Sequence, residues 1–412
     1  MKSFAFAGAS SRAIGMFAIP IARRFCDAAR IVGVFDVNPH RARLLSEHTT
    51  HPPVFDDFDA MLRETKPDCV IVTTVDRFHH EYIIRALEAG CDAITEKPMT
   101  IDDEKCRAIL DAERRTGRTV TVTFNYRFMP YVTLAKEIIR SGALGQVLNV
   151  DFEWMLDRRH GADYFRRWHR RMENSGGLLV HKSTHHFDLV NWWLDDEPER
   201  VFAFGARRFY GPTRAERGER CSACDYARTC EFYVDYANDP MLRALYFDAE
   251  RYDGYFRDRC VFSDEIDIYD TMSVCVRYAG GAQLAYSLVA YSPYEGWRAS
   301  ITGTGGRMEL EEIESGPLAG AQPQMIKLFD AQGKLTVREV AAAEGGHGGG
   351  DPLLLERLFG GKPMPDPLGH MAGSRAGAMS ILIGVGANKS IASGRPVAIA
   401  DLLGGSNGGI HG

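Results

Sequence analysis

Four groups of residues in this sequence have types and spacings that could do chemistry. The first is Thr95-Glu96-Lys97-Pro98. An ammonium beside an alcohol favours a developing alkoxide, and burial can lower its pKa until it exchanges a proton. Pro98 stiffens the turn that presents it. The second is the run Gly176–Asp188, where His181, His185 and Asp188 stand at i, i+4 and i+7 and so share one helical face. Two imidazoles on one face can relay a proton or, if coordinated, bind a metal. The plain alternative for His185 is a satisfied core histidine; for Lys182 and His186 it is a structural role. The third is residues 157–171, with six arginines in fifteen positions. Arginine forks fit carboxylate, phosphate or sulfonate oxygens, so one or two of Arg158, Arg159, Arg166, Arg167, Arg170 and Arg171 could hold an anionic sugar. Tyr164, Phe165 and Trp168 could stack on a sugar face. A salt-bridged surface or subunit interface explains the same composition. The fourth is Cys221-x2-Cys224-x5-Cys230 with Cys260 after x29. This spacing suits a structural zinc that staples a polar insertion; an iron–sulfur site or free thiols are the alternatives.

These residues need elements to position them. Ser3–Ala7 is apolar and ends at Gly8; residues 13–25 carry apolar side chains at helical spacing; Ile31–Phe35 is a short apolar run ending in Asp36. Cys69–Val72, Ala93–Thr95 and Thr119–Phe124 read as further strands, with helices over His80–Ala89 and Asp102–Thr116. Strands alternating with helices predict parallel βαβ units, and strands this apolar are covered on both faces. The expected architecture is α/β, an N-terminal Rossmann doubly wound parallel sheet with ligands at the carboxyl ends of its strands. The first turn, Gly8-Ala9-Ser10-Ser11-Arg12-Ala13-Ile14-Gly15, follows a strand and opens a helix, where a pyrophosphate would meet free N–H groups. It is not a strict G-x-G-x-x-G, and a simple tight turn is the alternative. Asp36 ends the second strand, where an acid can bind the adenosine ribose hydroxyls. A carboxylate there repels a 2′-phosphate and favours NAD over NADP, although Arg41 and Arg12 lie close in sequence.

Two further stretches carry a resemblance: Thr73-Thr74-Val75-Asp76-Arg77-Phe78-His79 leading to Glu96-Lys97-Pro98, and Asn125-Tyr126-Arg127-Phe128-Met129-Pro130. Together they resemble the glucose–fructose oxidoreductase / inositol dehydrogenase (Gfo/Idh/MocA) family, with its E-K-P tripeptide and N-x-R-x-x-P. The likeness covers residues 1–200 and, more loosely, the rest. It implies that Lys97 sits beside the nicotinamide and the reacting hydroxyl, with Thr74, His79, Glu96 and Asn125 near the cofactor and Tyr126 near the substrate. His185 and Asp188 match the histidine and later aspartate of the family's D-x-G-x-H-x-x-D. His181 stands where many members have aspartate, which removes a negative charge and adds a titratable base. Thr184 departs from an expected small residue.

Composition bounds the rest. The 412 residues are 45% hydrophobic and 25% charged, with net charge −6. That argues against disorder and against a broad nucleic-acid or anionic-membrane surface. No apolar run reaches the ~18 residues of a membrane span, and Met1–Gly8 reads as a first strand of a cytoplasmic protein. Nine cysteines, an odd count, argue against a disulfide framework. The expected domains are 1–124, binding NAD, and 125–412, an α+β domain with a large, mostly antiparallel open sheet and an insertion at about 210–262. Its strands are expected at Val147–Glu153, Arg200–Arg208, Asp267–Tyr278, Gln283–Tyr291 and Arg298–Thr302. The resemblance implies that this sheet's outer face makes dimers or tetramers. The glycine-rich run 345–350 leads into a helix with Asp351 as N-cap, and is either a linker or a lid placing His347 over the site. Ser374–Ala392 reads as an apolar helix.

The function expected from these residues is NAD-dependent oxidation of a ring hydroxyl of a sugar or glycoside. Lys97 and His185 would manage the hydroxyl proton, and His181 would tune or relay it. The alternative is a redox-neutral glycoside hydrolase in which oxidation is followed by elimination, water addition and re-reduction. Its substrate would be an anionic glycoside, such as a sulfoquinovoside, held by Arg158, Arg166, Arg167, Trp168, Lys182 or His186. An NAD-binding regulator is a third class that would need neither Lys97 nor His185.

Overall fold

A computed structural model describes residues 1–320, 323–341 and 343–404. Its first sheet has seven strands, in the spatial order 372–373, 120–122, 92–95, 69–72, 2–7, 29–35, 54–55. Six are parallel; Ala372–Gly373 joins antiparallel to Val120–Val122. The two central strands, Lys2–Ala7 and Cys69–Val72, are buried almost throughout, as sheets covered by helices on both faces require. The chain order reverses beside Lys2–Ala7, so the crevice at the carboxyl ends opens next to Gly8. Local signals set the helices. Asn38 caps Pro39–Glu47 by accepting from His40 and Arg41 N–H, and Asp102 caps Asp103–Thr116 by accepting from Lys105 N–H.

The second sheet has nine strands, in the order 335–340, 324–330, 306–313, 296–303, 147–157, 283–292, 271–278, 198–206, 397–398. It is antiparallel except where Val147–Asp157 runs parallel to Gln283–Ser292. Alternation is clean in Thr271–Tyr278 and Gln283–Ser292, with one face buried and the other open. Helices Thr184–Leu194 and Ser374–Ser393 pack on the buried face, around Trp154, Trp193 and Trp297.

Several expectations need correction. The sheet of the first domain also takes in chain from beyond residue 124. Its seventh strand is Ala372–Gly373, and Phe359, from helix Gly350–Phe359, lies 5.1 Å from the Phe4 ring and 5.9 Å from Phe25. Strands Gly306–Ile313, Gln324–Asp330 and Leu335–Val340 escaped the sequence reading. Leu335–Val340 is exposed along nearly its whole length, so it lacks the apolar period that marks a half-buried strand. Helix Gly350–Phe359 is capped by Gly349, not Asp351, whose carboxylate is used elsewhere. The helix expected to carry His181, His185 and Asp188 on one face is broken into Leu178–His181 and Thr184–Leu194.

The segment between strands 198–206 and 271–278 holds short helices and the four clustered cysteines. Cys221, Cys224, Cys230 and Cys260 line one cavity of about 20 Å³. Among the described residues, no group of three or more His, Cys, Asp or Glu side chains could hold a metal ion, so structural zinc gains no support. A cation already stands beside the thiols: the buried Arg166 guanidinium donates to Cys221 Sγ at 3.5 Å and to the Phe232 carbonyl at 2.9 Å. The segment is fastened by charge and aromatic packing instead. Arg220 pairs with Glu250 and Asp258, and Phe209, Tyr210, Phe232 and Phe262 pack edge to face.

Candidate active site

A cleft of about 840 Å³ runs along the carboxyl ends of the first sheet. Gly8, Ser10, Ser11, Arg12, Asp36, Thr74, His79, Glu96, Lys97, Arg167, Trp168, His181, Lys182 and His185 all line it. Gly8 has φ +99°, and a Cβ there would come within 2.7 Å of the Thr73 carbonyl carbon. Only glycine lets the turn approach the neighbouring strand so closely. Ser10 and Ser11 open a helical stretch whose first part is π-helical, Ala13–Ala18. Ala13 and Ile14 are buried beneath the turn, and their side chains belong to the core.

Asp36 is held by the turn that it faces. Its carboxylate accepts from Ala9 N–H at 2.7 Å and from Asn38 N–H at 2.7 Å. Burial raises its pKa against the opposing pull of Arg41. Arg41 lies 3.6 Å from Asp36 and also pairs with Asp253. Arg12 is paired with Glu96 at 2.8 Å. Neither nearby arginine is left free for a 2′-phosphate, so the ribose end keeps its acidic character. The cleft's volume, the glycine cradle and the acid at the second strand end fit an adenine dinucleotide; the Ser10–Ser11 turn would meet its diphosphate and Asp36 its adenosine ribose.

At the other end, Lys97 donates to the His181 carbonyl at 3.2 Å. Burial, then the charge of Lys182, lowers its pKa to about 8. His79 lies 2.9 Å from the Pro98 carbonyl and 3.1 Å from that of Thr74, and so ties together the two strand-end loops that carry Lys97 and Thr74. His185 is buried and stacked on Tyr126 at 4.5 Å, and its Nδ1 has no partner among the described residues. Burial, then Lys97, pushes its pKa well down, so the imidazole is neutral. A neutral imidazole beside an amine of lowered basicity can accept or return a hydroxyl proton near neutral pH.

One participant escaped the sequence reading. Asp76, buried in the loop after strand Cys69–Val72, lies 2.5 Å from His181 Nδ1. With the carboxylate accepting from Nδ1–H, Nε2 is left as a proton acceptor. Burial raises Asp76 and lowers His181, while Lys97 opposes the rise of Asp76. A lone acid in a polar loop gives no sequence signal of this role. Tyr246, Tyr255, Arg257 and His347 also line the cleft. The glycine-rich loop therefore places His347 over the site, with its Nδ1 3.0 Å from Asp351.

Other expected residues stand apart from the cleft lining. Asn125 donates to Asp351 at 2.6 Å and supports the wall from behind, as Tyr126 does under His185. Arg158 is exposed and paired with Glu231 at 2.7 Å. Arg166 is buried against Cys221. His186 is packed on Trp154 at 4.1 Å, with its Nδ1 2.8 Å from the Tyr286 hydroxyl. These three, expected to meet substrate, are not among the residues that line the cleft. Asp188 also turns away, making a buried two-point pair with Arg127 at 2.7 and 2.6 Å. That pair links the N-x-R-x-x-P motif to helix Thr184–Leu194.

Comparison with known proteins agrees with this geometry. The model for the oxidoreductase family with an NAD-binding Rossmann fold, GFO_IDH_MocA, matches residues 2–124, and its C-terminal α/β domain matches residues 136–399. YteT of Bacillus subtilis (strain 168) is 42% identical over 98% of this chain and 99% of its own length. The D-glucoside 3-dehydrogenase of Escherichia coli (strain K12) is 32% identical over 40% of this chain and 46% of its own. Among solved structures, the WlbA dehydrogenase of Bordetella pertussis, in complex with NADH and UDP-GlcNAcA, superposes with TM-score 0.66 at 18% identity over 97% of this chain and 99% of its own. The chain belongs to the Gfo/Idh/MocA family and is an NAD-binding oxidoreductase.

Proposed function

We propose that this enzyme removes hydrogen from a ring carbinol of a sugar or sugar-like polyol. The observation that carries the reading is the meeting, in one cleft, of a Lys97 amine of lowered basicity, a neutral His185 and an Asp76-held His181. Bound NAD supplies the hydride acceptor. Lys97 takes the hydroxyl proton as the C–H bond breaks, and His185 hands it on. Tyr126 fixes the His185 ring by stacking. Lys182, whose Nζ lies 4.4 Å from the centre of the Trp154 ring, adds positive charge to the same pocket and favours an electron-rich or acidic sugar. The polar outer face of the nine-stranded sheet, with Asp151, Ser273 and Ser287 on it, is the surface for self-association; sedimentation reads the assembly directly.

A second reading rests on Asp76 and His181. Simple alcohol oxidation moves one hydroxyl proton, which Lys97 and His185 can manage. An additional oriented base suits a reaction that also takes the acidified C–H beside a ring ketone and expels an aglycone. The discriminating experiment is a panel of neutral and anionic aryl glycosides with NAD, following nitrophenol release and reduced-cofactor absorbance together. Reduced cofactor without nitrophenol supports the dehydrogenase. Nitrophenol without net reduced cofactor supports the redox-neutral hydrolase. Neither signal from any sugar, with NAD demonstrably bound, overturns both.

A further inference from the structure

The inserted segment between strands 198–206 and 271–278 returns to the cofactor wall at four points. The Tyr246 hydroxyl accepts from Ser11 N–H at 3.3 Å and lies 3.0 Å from Ser11 Oγ. His40 Nε2 lies 3.1 Å from the Ala244 carbonyl, and Asn38 donates to the Ala249 carbonyl at 3.0 Å. Asp253 pairs with Arg41, which also faces Asp36. The insertion is thus fastened along the first wall from the serine turn to the ribose acid.

Arg257 stands behind these contacts. It is 8% exposed, lines the cleft, and its guanidinium carbon lies 4.2 Å from the centre of the Tyr246 ring. Its Nε and Nη1 are buried with no hydrogen-bond partner among the described residues. Arg167 lines the same cleft, and its Nε is likewise buried and unpartnered. Buried donors of a charged group are costly to leave unmade, and an arginine fork matches phosphate oxygens in pairs. Stacking on Tyr246 places Arg257 beside Ser11, near the turn where a dinucleotide's diphosphate would meet helix N–H groups.

We propose that Arg257 and Arg167 form the second half of a diphosphate site opposite the Ser10–Ser11 turn. The dinucleotide is then gripped between the Rossmann wall and the inserted segment. The proposal rests on the reading that the cleft takes NAD. It reassigns Arg167 from substrate to cofactor.

The test uses the full chain and binding rather than turnover. NAD, ADP-ribose and adenosine are titrated against the wild type, Arg257→Met, Arg257→Lys and Arg167→Met, with thermal melts checking that each variant folds. Loss of charge-assisted contacts should weaken NAD and ADP-ribose roughly 10- to 100-fold in both Met variants. Adenosine, which has no phosphate, should bind unchanged, and Arg257→Lys should recover part of the loss. Unchanged ADP-ribose affinity in folded Met variants overturns the proposal, as does an equal loss for adenosine, which would mark a merely distorted wall. A wild type that binds ADP-ribose in neither calorimetry nor fluorescence would instead overturn the cofactor reading on which the proposal stands.

Discussion

The two walls of the cleft differ in how their polar groups are satisfied. On the Rossmann wall, Asp36 is bonded to Ala9 and Asn38 N–H, Arg12 to Glu96, and Lys97 to the His181 carbonyl. On the facing wall, Arg167 Nε, Arg257 Nε and Nη1, His169 Nδ1 and His185 Nδ1 are buried without partners among the described residues. The first wall's polar groups are held by hydrogen bonds, one of them to the His181 carbonyl of the facing half; several on the facing wall are buried with packing alone around them. The contrast teaches that the two halves of the chain hold their cleft groups by different means, while proton-handling and cofactor-facing residues stand on both. Substitutions should therefore separate by what each residue touches, cofactor or reacting hydroxyl.

The largest effect is expected at Lys97. Lys97→Met should lower turnover roughly 10²- to 10⁴-fold while leaving the NAD dissociation constant nearly unchanged, measured by rapid kinetics and titration. If the dissociation constant rises as much as turnover falls, Lys97 holds the cofactor rather than moving the proton. The pH profile sharpens the point. Lys97, with its pKa lowered to about 8, acts as a base only once it has lost its proton. Oxidation should therefore rise with pH up to about 8 and then level off, and Lys97→Arg should erase that limb.

Next comes the frame behind the facing wall. Arg127→Met would leave Asp188 buried and unpaired, at a cost of about 3–5 kcal/mol, read as a fall in melting temperature. Removing the exposed Arg277–Glu199 pair should leave the melting temperature nearly unchanged. Comparable losses in the two variants would mean that burial does not decide the matter. A smaller effect is expected at the dyad. Asp76→Asn should reduce turnover roughly 10- to 100-fold by loosening the His181 imidazole, with NAD affinity kept. The smallest change belongs to Asp36→Ala. It should weaken NAD by about tenfold, the scale of one charge-assisted contact, and narrow the preference over NADP.

The first half of the fold was legible because its strands are short apolar runs between helices of clear period. The second half was legible only where one face is buried, as in Gln283–Ser292, and not in Leu335–Val340, where both faces meet water. In the site, Lys97 and His185 carry a local motif that survives in one dimension. Asp76 and Arg257 do not: their partners, His181 and Tyr246, lie far along the chain or in an irregular insertion, and only tertiary contact gives them a role. The arginine run shows the opposite failure. Six similar residues in sequence divide into one that lines the cleft, Arg167, one that plugs the cysteine cavity, Arg166, one buried elsewhere, Arg170, and others, such as Arg158, that are exposed.

The pairing of Ala372–Gly373 with Val120–Val122, and the seating of Phe359 among Phe4, Phe17 and Phe25, bear on how the chain is made. During synthesis the amino-terminal half emerges with one sheet edge bare and an aromatic socket unfilled. Such edges invite pairing with other nascent chains. A fragment ending near residue 124 should precipitate, and this half can reach its native packing only after residues 350–373 have been made.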